Sequence, residues 1–99
     1  MSREQLFLVR AEALTMSGVS MSTLDRAAAD VAIRATVRAF GGVRNCAAAF
    51  AYEFGEHPDS TAERMRSARQ AVAALYGGGS SGGGSSGGGS SGADRRAAA

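Results

Sequence analysis

Apolar residues recur at three- and four-residue intervals in four stretches of the first three quarters of the chain, the period of amphipathic helices. In the first stretch, Ser2 to about Met16, the pattern is Leu6, Val9, Ala13 and Met16, with Arg3, Glu4, Arg10 and Glu12 between them. Ser2 precedes Gln5 by three residues, a capping signature, and Gly18 is placed to stop the helix. A second helix is expected from Ser22 and Asp25 to Phe40, ended by Gly41 and Gly42. Its apolar face reads Leu24, Ala28, Val31 and Ala35, widened by Ile33, Val37 and Phe40, while Arg26, Asp30, Arg34 and Arg38 are expected in water.

The third stretch runs from Val43 or Arg44 to Phe54 and presents Cys46, Ala47, Phe50, Ala51 and Phe54. Its many alanines suggest close packing and mark it as the expected centre of the core. Gly55 is expected to close it. A fourth helix then starts near Asp59 or Ser60 and buries Ala62, Met65, Ala68 or Arg69, Val72 and Leu75. Strand alternation is lacking, so the expected class is all-α: a small bundle of three or four helices.

The pattern stops at Tyr76. Residues 77–91 spell GGGSS three times and Gly92 completes the run, a composition that builds no core and reads as a disordered, engineered flexible linker. The expected organisation is a helical domain over residues 1–76, a linker over 77–92 and an appended peptide, ADRRAAA, over 93–99. Such a short domain is marginal alone, so a homodimer is an admissible state.

Charge narrows the function. The chain holds 11 basic and 9 acidic residues; setting aside Asp94, Arg95 and Arg96 leaves nine and eight in residues 1–76. That balance lacks the basic excess of a non-specific nucleic-acid binder. The basic residues are all arginine, a bias that points to a bacterial source with GC-rich coding. No run approaches 18 apolar residues and no secretory leader is recognisable, so a cytoplasmic, non-membrane protein is expected. The lone Cys46 and lone His57 flank an apolar helix without a third orienting group, so neither a zinc site nor a nucleophile is indicated. No cofactor motif or acid-base pair stands out, and a non-enzymatic role is expected.

Two constellations remain. Ala51 and Gly55 have the spacing of the small residue and the turn glycine in a helix-turn-helix unit, which residues 44–75 resemble. Ala62 and Met65 fit that pattern with a turn one residue longer than usual. The resemblance implies that the fourth helix reads DNA through Arg64, Arg66, Ser67 and Gln70. Glu53, Glu56, Asp59 and Glu63, in contrast, cluster about the same turn and suit a basic ligand. Arg95 and Arg96 of the appended peptide are such a ligand, since guanidinium pairs bidentately with carboxylate.

The linker makes that pairing feasible. Sixteen flexible residues have a root-mean-square span of roughly 20 to 24 Å, and tethering raises the local ligand concentration to the order of millimolar. The leading expectation is therefore a docking or adaptor domain that binds a short partner peptide, supplied here in cis. A cloning scar or a degradation signal are competing origins for the terminal alanines, and a small helix-turn-helix regulator is the alternative function.

Overall fold

The structure is a computed structural model that describes residues 1–77. Among these it contains four α-helices and no strand: α1 (Arg3–Ser17), α2 (Arg26–Phe40), α3 (Val43–Glu56) and α4 (Pro58–Val72). A 3₁₀ turn, Met21–Thr23, lies between α1 and α2, and a π turn, Ala73–Gly77, extends α4. The stretches expected to be linker and appended peptide fall outside the described residues, apart from Gly77.

Helix α1 begins as its sequence indicates. The Ser2 hydroxyl accepts from the Gln5 amide at 3.1 Å, and the Gln5 side chain accepts from the Ser2 amide at 2.9 Å, which satisfies two otherwise orphaned donors. Gly18 ends it at φ 77°, a left-handed conformation in which a Cβ is strained.

The second helix starts later than expected. Ser22 sits in the 3₁₀ turn, its hydroxyl 3.0 Å from that of Ser20, and it is Asp25 whose side chain accepts from the Ala28 amide at 2.8 Å. A carboxylate there also meets the positive end of the helix dipole.

Gly55 does not close the third helix: α3 continues to Glu56. The break falls at His57 (φ −137°, ψ 68°), whose amide still donates to the Glu53 carbonyl at 2.8 Å. Pro58 explains this placement. Its ring drives the preceding residue out of the helical region, while its missing N–H and fixed φ suit the first position of α4. One residue thus separates the two helices.

The core is built between α1 and α4, not around α3. Ala11, Leu14, Met65, Ala68 and Val72 form the buried cluster, with Phe7, Val19, Met21, Leu24, Ile33 and Phe50 packed at its margins. Helix α1 touches all three other helices, so four residues, Ala11, Ala13, Leu14 and Thr15, are buried around much of its circumference. Leu6, expected inside, is 38% exposed because the face that α1 turns to the core at that end carries Phe7 instead. Helix α3 fully buries Cys46 alone; Phe54 is 43% exposed and Ala51 is exposed.

Helix α2 is likewise rolled from its expected face. It buries Ala29 and Thr36 with Ile33 and Val37 half-buried, and leaves Ala28, Ala35 and Val31 outside. In an alanine-rich helix hydrophobicity is spread around the axis, so the helix crossing selects the face, and α2 turns small residues inward. Thr15 and Thr61 are buried without a loss of hydrogen bonding: their hydroxyls donate to the carbonyls of Ala11 (2.8 Å) and Glu53 (3.3 Å).

Candidate functional site

An open groove of 710 Å³ lies between the C-terminal half of α1, the segment that follows it, and one side of α4. The left-handed turn at Gly18 swings the chain away from the α1 axis, and the 3₁₀ turn brings Met21 and Ser22 back to form the far wall. Leu14, Val19, Met21 and Ala71 supply apolar surface; Glu63, Ser67 and Gln70 line the α4 side with polar groups.

This groove draws residues from both constellations suggested by the sequence. Glu63 is the acid that lines it, while Arg64, Ser67 and Gln70 come from the expected DNA-reading set. Asp59 stands one turn before Glu63 on the same face of α4, near the helix N-terminus where a carboxylate is favoured. Glu56, Asp59 and Glu63 are exposed, whereas Glu53 is half-buried and its carbonyl receives both the His57 amide and the Thr61 hydroxyl.

Arg64 has a structural engagement that the sequence did not disclose. Its guanidinium donates to the Thr15 carbonyl, in the last turn of α1. There it satisfies an orphan acceptor and places positive charge at the negative end of the α1 dipole. The other three members of that set, Arg66, Ser67 and Gln70, are exposed; Arg66 and Gln70 also line a second concavity between α3 and α4. Ala51 and Gly55 do not occupy the places that a helix-turn-helix unit gives them: Ala51 faces solvent and Gly55 lies inside α3.

The chain matches no protein-family model, no curated protein and no solved structure. The geometry of its own residues therefore carries the functional reading. Among the described residues, no group of three or more His, Cys, Asp and Glu side chains could hold a metal ion, and no helix is long and apolar enough to cross a membrane.

A second polar cluster went unread in the sequence. Tyr76 donates its hydroxyl to the Asp30 carboxylate, and the guanidinium carbons of Arg10 and Arg26 lie 3.9 and 5.0 Å from its ring centroid. Burial, then the Asp30 hydrogen bond, pushes the Tyr76 pKa up to about 12. Arg10, Arg26 and Asp30, all expected in water, are thus drawn to one aromatic ring. An aromatic at the last apolar position before the glycine run was the available signal.

Glu12 is also half-buried, not turned to water, and desolvation raises its pKa. Cys46 is 3% exposed; burial chiefly, and the nearby Glu12 charge secondarily, raise the pKa of its thiol. Those shifts oppose thiolate formation and fit a packing role.

Proposed function

We propose that this chain is a non-enzymatic docking domain whose α1–α4 groove receives a short basic peptide of a partner, with Ala93 to Ala99 as a tethered representative. The observation that carries this reading is the mixed lining of the groove: an apolar floor with the Glu63 carboxylate on its α4 side, next to Arg64, whose guanidinium is engaged by the Thr15 carbonyl. In this arrangement small side chains such as alanine enter the floor, and a guanidinium of Arg95 or Arg96 pairs with Glu63, with Asp59 one turn away. Glu56 and Glu53 add negative potential around the α3–α4 junction, and do not each hold the peptide directly.

Chain length supports a contact in cis. Glu63 precedes Gly77 by fourteen residues, a rise of about 20 Å along a helix, which is close to the root-mean-square span of the linker. The extents of the described structure, 38 × 28 × 20 Å, put much of the surface within the same reach.

The test compares amide chemical shifts of the full chain with those of a variant in which Arg95 and Arg96 are alanine. The expected changes centre on residues 18–22 and 63–71, and Glu63→Gln produces the same ones. Identical spectra for the three proteins would dismiss the docking reading. Salt-sensitive binding to duplex DNA, lost on Arg66→Ala, would instead favour the helix-turn-helix alternative, in which Arg66, Ser67 and Gln70 reach the bases.

A further inference from the structure

Three smaller concavities adjoin one another on a face that meets the α1–α4 groove at Gln70. The first, of 520 Å³, lies between Phe54 of α3 and the Ala62, Arg66, Arg69 side of α4. Arg69 is shared with the second, of 440 Å³, where Phe7 and Leu8 of α1 line the wall. Arg3 and Phe7 are shared in turn with the third, of 360 Å³, which ends at Arg10, Leu6 and Tyr76. Shared walls make the three one interrupted track.

The lining has one chemical character throughout. Arginines recur along the whole track, apolar or aromatic side chains form the notches between them, and Glu4 is the one carboxylate among the lining residues. Two of the guanidiniums lie over rings, the carbon of Arg10 at 3.9 Å from the Tyr76 centroid and that of Arg69 farther off, at 5.9 Å from that of Phe7. A guanidinium over a ring is attracted through its charge and retains N–H groups that can donate to an incoming carboxylate.

We infer that this track is a docking surface for an acidic amphipathic helix of a partner protein, whose apolar residues enter the three notches while its carboxylates pair with the arginines between them. Successive apolar anchors at i, i+4 and i+7 are the recurring solution for a helix in a segmented groove. Charge complementarity selects the sign of the partner and excludes the basic Arg95–Arg96 segment. This surface shares Gln70 with the groove proposed above, and takes a ligand of the opposite charge.

Other occupants fit less well. Single-stranded nucleic acid needs open ring faces for base stacking, whereas Tyr76 and Phe7 are half-buried and Tyr76 already has Arg10 and Arg26 over its ring. Phe7 and Tyr76 are half-buried, and the exposed Leu6, Leu8 and Phe54 each line a different notch, where a lipid surface rewards one continuous protruding apolar face. A symmetric contact between two copies would set arginines against arginines.

The test uses fluorescence anisotropy of the full chain with a labelled synthetic peptide that has leucine at the three anchor positions and glutamate between them. A control peptide carries glutamine in place of each glutamate. The expected result is saturable binding of the glutamate peptide, at least about tenfold weaker for the glutamine peptide and weakened as much by Arg69→Glu. Arg3→Glu is the second variant. It places an acid at the start of α1, where the helix dipole favours one, so circular dichroism should show an intact fold while peptide affinity again falls about tenfold. Equal binding of the two peptides, no binding of either, or full binding by both arginine variants would overturn the inference. So would displacement of the peptide by oligothymidylate or by phosphatidylcholine vesicles containing phosphatidylglycerol. Concentration-dependent self-association in sedimentation, abolished by Arg3→Glu, would assign the face to a second copy and overturn it equally.

Discussion

The Tyr76 hydroxyl donates to the Asp30 carboxylate across 46 residues of sequence, and this bond ties the end of the helical domain to the middle of α2. Arg10 and Arg26 over the same ring bring α1 and the start of α2 into the contact. The π turn Ala73–Gly77 is thereby fixed at the point where the glycine-serine run begins.

Tyr76→Phe removes the hydrogen bond and keeps the ring, with an expected loss of about 1 to 2 kcal/mol in denaturant unfolding. Tyr76→Ala also removes the surface under both guanidiniums and should cost more. Equal stability of wild type and Tyr76→Phe would show that the bond is not maintained in solution.

The same residue sets a pH dependence. The Tyr76 pKa is raised from 10.0 to about 12 by burial first and the Asp30 bond second. The folded chain therefore holds a proton that the unfolded chain releases, so the stability contribution is complete below pH 10 and is lost as the pH rises toward 12. Urea unfolding midpoints should fall across that window in wild type, and the fall should be shallower in Tyr76→Phe.

Placement of the core between α1 and α4 separates two truncations. Leu14, fully buried, should lose roughly 3 kcal/mol on Leu14→Ala, a large share of the stability of so short a domain. Phe54, 43% exposed, should lose about 1 kcal/mol or less on Phe54→Ala. Thermal melts with the opposite ranking would return the centre of the core to α3.

Two glycines should respond with opposite signs. Gly18 has φ 77°, so Gly18→Ala is expected to destabilise by about 1 kcal/mol. Gly55 is inside α3 with nothing within 4 Å of an added Cβ, so Gly55→Ala should stabilise by up to about 1 kcal/mol. A destabilised Gly55→Ala would restore Gly55 as a turn residue.

Arg64→Gln removes the charged donor from the Thr15 carbonyl. The expected loss is about 1 kcal/mol in thermal unfolding, at a residue that a DNA-binding reading alone would leave neutral for stability. An unchanged melting temperature would free Arg64 for ligand contact.

The candidate groove was only partly legible in sequence. Glu63, Ser67 and Gln70 were marked by their exposed helical spacing, which any helix on a core imposes. Val19 could not be marked, because it lines the wall only once Gly18 has turned the chain. Arg64 looked interchangeable with Arg66 until the end of α1 was placed beside it.

By itself the sequence determined the all-α class, the helical stretches and several of their limits: the Ser2–Gln5 cap, the stops at Gly18 and Gly41, and the apolar spacing of Met65 and Val72. These follow from local energetics, in which each signal and its effect lie within a turn or two of chain. Tertiary structure decided which faces are buried, that α1 and not α3 is central, and that Arg10, Arg26 and Asp30 meet at Tyr76. Alanine-rich helices leave the buried face underdetermined locally, so contacts distant in sequence must choose it.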